Sequence, residues 1–305
     1  MYDIIGDVHG HASLLKKMLL EMGYVKTNGS YKHPSRKAIF TGDFIDRGPE
    51  IRKTIRIIRS MVEDGNAFAI LGNHEINAII YYLKDKQGKQ WVKKPGKYYI
   101  ALQKTIHEFF PYPEELKDTL DWMRTLPLFL DLRQLRIVHA CWQEDAINIA
   151  QTMQEQGKIK KKIFRGIHKK PDSAITKAVW LLTKGIFLEM PSDLKIKNNK
   201  GISPRKFRVK WWEKPEGKTF EQLSFESKFT LPGYIIPPKI LPRTYPYPQD
   251  APPVFFGHYC HDKGSVIIKD NVCCVDSCVV CTGELTAYRW DGEKKLRPEN
   301  VFRVK

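Results

Sequence analysis

Apolar residues recur along the chain in two rhythms. Tyr2 to Gly6 is a short apolar run that reads as a buried strand, and Leu14, Leu15, Met18, Leu19 and Met22 follow at helical spacing, with Gly23 as a stop. Lys37 to Thr41 reads as a second strand. A helix from about Glu50 to Val62 comes next, carrying Ile51, Ile55, Ile58 and Val62 on one face. The turn residues Asp64-Gly65-Asn66 lead into a third strand, Ala67 to Leu71. This alternation predicts an α/β layout with neighbouring strands.

Ile76 to Leu126 is mostly helical in pattern, interrupted at Pro111-Tyr112-Pro113, and Leu135 to Val138 reads as another buried strand. Residues 143–252 lose the alternation. They hold basic runs and many prolines after Pro232, and they are expected to form an inserted capping region between core segments 1–142 and 253–305. From Val254 short strands return (Val254 to Phe256, Val266 to Lys269, Val272 to Val275, Leu285 to Trp290), separated by Gly and Asp turns as in an antiparallel meander.

Polar residues cluster where the early strands end. Gly6-Asp7-Val8-His9-Gly10, Gly42-Asp43-Phe44-Ile45-Asp46-Arg47-Gly48 and Gly72-Asn73-His74-Glu75 each follow a predicted strand, and two later strands end in His139 and in Gly257-His258. Ligands of α/β sheets bind at the carboxyl ends of strands. Carboxylates and imidazoles together suit zinc, manganese or iron better than calcium. Two such ions about 3.5–4 Å apart can clamp the attacking and leaving oxygens of an in-line displacement, and Asp43 could bridge them. One Asp-x-His alone would more often be a turn residue beside a surface histidine; five clusters at five strand ends argue for a site.

Charge adds a bias toward anions: 51 Lys and Arg oppose 34 Asp and Glu, a formal net charge of +17. Such a field favours a polyanionic substrate, a nucleotide or nucleic acid, but also serves solubility alone. No run approaches the ~18 apolar residues of a membrane helix. The N-terminus enters a buried-strand pattern with no basic, signal-like segment, so a cytoplasmic location is expected. The six cysteines, Cys141, Cys260, Cys273, Cys274, Cys278 and Cys281, are accordingly expected as free, mostly buried thiols. A zinc knuckle at Cys278-Val-Val-Cys281 is the lesser alternative.

The motifs Asp7-Val8-His9-Gly10, Gly42-Asp43-(x2)-Asp46-Arg47-Gly48, Gly72-Asn73-His74-Glu75, His139 and Gly257-His258 resemble those of the calcineurin-like metallophosphoesterases. The Asp46-Arg47-Gly48 form is similar to the branch of serine/threonine phosphoprotein phosphatases and symmetric diadenosine-tetraphosphatases. The run from Asn271 through Cys274-Val275-Asp276-Ser277 to Gly283-Glu284-Leu285-Thr286-Ala287-Tyr288-Arg289-Trp290 extends the likeness. Cys278 departs from it, since many relatives carry Gly there.

The resemblance implies a four-layer α/β/β/α sandwich and two divalent ions, manganese first, with iron or zinc as alternatives. Asp7, His9 and Asp43 would hold one ion; Asp43 would bridge to a second, held with Asn73, His139 and His258. A metal-bridging hydroxide would attack phosphorus, His74 would protonate the leaving oxygen with Asp46 as its carboxylate partner, and Arg47 would hold phosphate oxygens. A second cation is expected from the insertion, with Arg205 and Arg208 as candidates. His261 is the rival of His258, and an ion pair with Asp46 the rival role for Arg47.

Two basic segments bear on the substrate. Gly157 to Lys170 holds seven Lys or Arg and reads as a solvated charge run. In the second, Lys206, Arg208 and Lys210 alternate with Phe207, Val209 and Trp211. An extended strand would put cations on one face and apolar rings on the other, as a phosphate-tracking stripe with a platform for bases or as an amphipathic edge strand. The resulting expectation is a phosphatase of phosphate monoesters, phosphoproteins included. A dinucleoside polyphosphate hydrolase or nucleic-acid end phosphatase is the alternative, and a catalytically inactive nucleic-acid-binding protein the second.

Overall fold

The computed structural model describes residues 1–92, 96–155, 157–190, 206–225, 231, 233–243, 245–260 and 266–305. In chain order it runs β1 (Tyr2–Ile5), α1 (Ala12–Glu21), β2 (Val25–Thr27), β3 (Ser30–Lys32), β4 (Lys37–Phe40), α2 (Ile51–Glu63), β5 (Ala67–Ala69), α3 (Asn73–Tyr82), α4 (Lys97–Phe109), α5 (Pro113–Met123), β6 (Phe129–Asp131) and β7 (Arg136–Val138). It continues through α6 (Glu144–Gln154), α7 (Lys161–Lys169), α8 (Ala174–Lys184), β8 (Phe187–Glu189), β9 (Lys206–Arg208) and α9 (Phe220–Leu223). The last part holds β10 (Val254–Phe256), β11 (Ile267–Lys269), β12 (Val272–Cys274), α10 (Val279–Thr282), β13 (Leu285–Trp290) and β14 (Val301–Val304).

Two five-stranded sheets, ordered β14-β13-β1-β4-β5 and β11-β12-β10-β7-β6, form the centre. The side-chain period of a strand decides how they pack. Ile4, Ile39, Ile137, Phe255 and Cys273 enter one apolar cluster, to which both sheets contribute. Their neighbours Ile5, Phe40, Val138, Phe256 and Cys274 enter a second cluster together with the helices. Each sheet is therefore buried on both faces, with sheet against sheet inside and helices outside. This is the mixed α/β sandwich that the motifs imply.

The expected C-terminal meander forms only in part: β11 and β12 pair antiparallel, but their neighbours do not continue the pattern. β10 pairs in parallel with both β7 and β12, whereas β13 leaves for the other sheet and pairs antiparallel with β1 and β14. Strands of three residues carry too few alternating positions to reveal their partners. From α6 to β10, the described residues Ala146, Phe164, Val179, Phe207, Trp211 and Phe220 are buried in the same large cluster as the central helices, so they pack onto the core. In the charge run, Phe164 and Ile167 of α7 are buried while Lys161, Lys162 and Lys169 are exposed.

The cysteine expectation also needs correcting. Cys260 and Cys278 are joined in a disulfide; Cys141, Cys273 and Cys274 are buried free thiols, and Cys281 is exposed. Their spacing could not reveal this pair, because β10 and β12 are neighbours only in the folded sheet. No helix among the described residues is long and apolar enough to cross a membrane.

Candidate active site

Six strand ends, three from each sheet, deliver the polar residues: β1 leads to Asp7 and His9, β4 to Asp43, Asp46 and Arg47, and β5 to Asn73 and His74. From the other sheet, β7 leads to His139, β10 to His258 and β12 to Asp276. The backbone there is unusual. His9, Asp43, Asp46, Arg47 and His258 all have positive φ, between 43° and 67°, a region that costs non-glycine residues about 1–3 kcal/mol each. Two glycines permit the close approach of carboxylates. A Cβ at Gly72 would lie 2.2 Å from Asp43 Oδ1, and one at Gly257 would lie 2.0 Å from Asp7 Oδ1.

Glu75 ties two of these loops together. Its carboxylate accepts the backbone N–H groups of Asp43 at 2.8 Å, Phe44 at 3.1 Å, Ile45 at 3.3 Å and Gly72 at 2.9 Å. At the third position of α3 it also satisfies the helix start. Burial, with Asp43 nearby, pushes its pKa up to about 7.

Asp43 stands at the middle. His9, Asp43 and His74 form one potential metal-binding group, and Asp43, His139 and His258 form a second. Asp43 Oδ2 lies 3.3 Å from His139 Nε2 and 3.9 Å from both His9 Nε2 and His74 Nε2. His9 Nδ1 is hydrogen-bonded to Ile45 O (2.9 Å) and His139 Nδ1 to Thr41 O (2.8 Å), which aims the two Nε2 atoms inward. Asp7 lies beside the second group: its Oδ2 accepts the His258 N–H at 3.0 Å. One terminal atom of the Asn73 amide sits 2.8 Å from His258 Nδ1 and 3.1 Å from Thr183 O; as nitrogen it donates to both. Turned over, the amide would present its oxygen beside His258 Nδ1, as a shared cation requires.

These residues fit divalent cations. His139 Nε2 is fully buried with no hydrogen-bond partner, although Asp43 is near. Asp7 is raised well above the carboxylate range by burial and by Asp276, and Asp276 itself is raised by burial, with Asp43 adding to it. Burial and His74 press His9 down to about 3. Burial also opposes charge on His139, but Asp43 and Asp7 outweigh it and bring its pKa to about 10. Crowded buried carboxylates with inward nitrogen donors are what bound dications would relieve.

Beside this centre, His74 Nδ1 pairs with Asp46 Oδ2 at 2.5 Å, and His74 Nε2 faces Arg47 Nη2 at 3.3 Å. Burial disfavours a charged His74, yet Asp43 and the hydrogen bond to Asp46 raise its pKa. Asp46 is held from behind by the hydroxyl of Thr105 on α4. Arg47 is exposed at the rim, its carbonyl receiving Lys104 Nζ. Arg208, half-buried, stands beside the second donor group, its Nη1 donating to His258 O at 2.6 Å. Arg205 and His261 lie outside the described residues.

The base-platform reading of β9 is corrected. Phe207, Val209 and Trp211 are fully buried in the core, so they offer no ring surface to a ligand. The sequence assigns no role to Asp276, Thr105 or the knot at Glu75, although Asp276 and Glu75 stand within the motifs above. Asp276 carried a readable signal, a polar residue directly after an apolar strand; Thr105 carried none. The departure at Cys278 keeps a left-handed backbone, with φ 60°, which suits glycine best.

Residues 2–145 match the calcineurin-like phosphoesterase family. A curated relative, the asymmetrical bis(5'-nucleosyl)-tetraphosphatase PrpE of Oceanobacillus iheyensis, is 32% identical over 144 residues, 45% of this chain and 54% of the relative. The symmetrical bis(5'-nucleosyl)-tetraphosphatase of Marinomonas sp. is 26% identical over 96% of this chain and 94% of its own. The chain spans 30% to 59% of the first three curated relatives it matches. In fold it is similar to the crystal structure of a cold-active protein-tyrosine phosphatase of a psychrophilic Shewanella, with TM-score 0.52, 14% identity, and coverage of 94% of this chain and 75% of that one. Over residues 2–145, just under half of its length, the chain matches the calcineurin-like phosphoesterase pattern.

Proposed function

We propose that this chain is a dimetal-dependent phosphoric ester hydrolase that cleaves dinucleoside polyphosphates. The observation that carries the enzymatic part is Asp43, shared between two donor groups, with Arg47 beside His74 of one and Arg208 beside His258 of the other. The substrate class is supported by the curated relatives, named as bis(5'-nucleosyl)-tetraphosphatases, and by the net charge of +17. Phosphate monoesters and phosphoproteins, first in the sequence reading, therefore take second place. Segments 1–142 and 253–305 would form the core and 143–252 the insertion over it. Manganese is the proposed metal and the cytoplasm the proposed location.

Asp7, His9 and Asp43 would hold one cation, and Asp43, Asn73, His139 and His258 the other. Bound there, two divalent ions polarise phosphoryl oxygens and lower the pKa of water. The chain's own residues do the rest. Arg47, beside His74, and Arg208, beside the His258 carbonyl, can grip a phosphate by charge-assisted hydrogen bonds. His74, oriented by Asp46 and Thr105, presents Nε2 toward the centre and can give a proton to the departing oxygen. Glu75 keeps the Asp43 and Asn73 loops at fixed separation, so the donors need no reorganisation.

The test compares kcat/KM of manganese-loaded enzyme for diadenosine tetraphosphate and for a phosphothreonine peptide. The proposal expects a clear preference for the dinucleotide, with either ADP alone or ATP and AMP as products. A clear preference for the peptide would restore the phosphoprotein reading.

A further inference from the structure

A cavity of about 490 Å³ opens between the C-terminal end of α8 and the β8–β9 pair. Its charged lining is entirely cationic: Lys177, Lys184, Lys206 and Arg243. Two aromatic rings share the lining, Trp180 with Lys184 Nζ 3.4 Å from its centre and Phe187 with Lys206 Nζ 4.7 Å away. The register sets Glu189 across from Lys206, and Glu189 is not part of the lining. Flat rings beside several cations are the recognition chemistry of a base that carries phosphates.

Two short stretches of chain join this cavity to the metal loops. Thr183, whose carbonyl lies 3.1 Å from the Asn73 amide, is followed directly by Lys184. On β9, Arg208 reaches the His258 carbonyl, and Lys206 is two residues away on the same strand face, about 7 Å along the strand. A polyphosphate held by Arg208 thus meets Lys206 and Lys184 next, and then the rings.

We propose that the cavity between α8 and β8–β9 is the binding site for the far nucleotide of the substrate, its phosphates on Lys184, Lys206 and Arg243 and its base against Trp180 and Phe187. This rests on the dinucleotide reading above and locates its specificity in residues that lie outside the matched family segment.

The experiment uses the manganese-loaded full chain and calorimetric binding of a non-hydrolysable ATP analogue and of inorganic triphosphate. Trp180→Ala is expected to weaken the analogue about tenfold while leaving triphosphate within about twofold, the size of one base-stacking contact. Lys206→Glu with Arg243→Glu, both at exposed positions, is expected to weaken both ligands at least tenfold, with turnover of p-nitrophenyl phosphate retained. Unchanged affinities in all variants, or equal weakening of both ligands by Trp180→Ala, would overturn the assignment. If this pattern holds but the wild type does not cleave diadenosine tetraphosphate, the cavity remains a nucleotide site and the dinucleotide-hydrolase reading falls.

Discussion

The strand-end loops and the segment between α6 and β10 meet at one centre but are built differently. The loops are buried and fixed by their own backbone: His9, Asp43 and His258 take left-handed conformations, and Glu75 alone binds four backbone N–H groups. The other segment offers half-buried and exposed cations, Arg208, Lys206 and Arg243, on a two-stranded pair and a loop. Chemistry needs donors fixed within tenths of an ångström, so its residues follow strand ends and leave compact motifs. Substrate choice needs only charge and flat surface within reach, which side chains far apart in sequence can supply.

Substitutions can sharpen that contrast. The largest effect belongs to the loops. His74→Asn is expected to slow release of a poor leaving group roughly 10²–10⁴-fold, while p-nitrophenyl phosphate, whose leaving group needs no proton, is slowed far less. Equal slowing of both would remove His74 from the proton-donating role. On the other side, Arg208→Ala is expected to raise KM for phosphorylated substrates about tenfold, the scale of one charge-assisted hydrogen bond, with kcat changed less. A fall in kcat at constant KM would show that the guanidinium only supports His258 through its carbonyl.

The smallest effect lies away from both. Glu115 of α5 binds Arg52 and Arg56 of α2. The hydrogen bond from Arg52 holds its carboxyl below the usual range, against the opposing effect of burial. A depressed folded pKa gives stability that is present above the unfolded value and lost as pH falls through the folded one. Glu115→Gln is expected to cost no more than about 1 kcal/mol at pH 7, for a partly exposed pair. The difference in urea midpoint should shrink as pH drops below about 4, with kcat/KM unaffected. A difference that persists at low pH would point to packing instead of charge.

The same contrast explains what the sequence made legible. Asp7, Asp43, Asn73, His139 and His258 are legible because each lies within four residues after the end of a strand whose apolar pattern is visible, and the fold brings those strand ends together. Asp276 obeys the same grammar, but the sequence around it reads as a meander, where three-residue strands hide their partners. Around β9 the alternation is legible, but it does not say whether the apolar face meets a ligand or the core: Phe207 and Trp211 are buried in the core. Thr105 and the Cys260–Cys278 pair depend on contacts across 59 and 18 residues of sequence, which no local spacing encodes.

The central claim is a centre for two cations joined by one carboxylate, and equilibrium titration with manganese tests it directly. The account predicts two ions per chain in the wild type. In Asp43→Asn it predicts weakening of both sites together, by at least about 10–100-fold, the effect seen when even outer partners of a metal site are removed, with turnover abolished. An Asp43→Asn protein that still binds two ions with wild-type affinity and turns over substrate would contradict it.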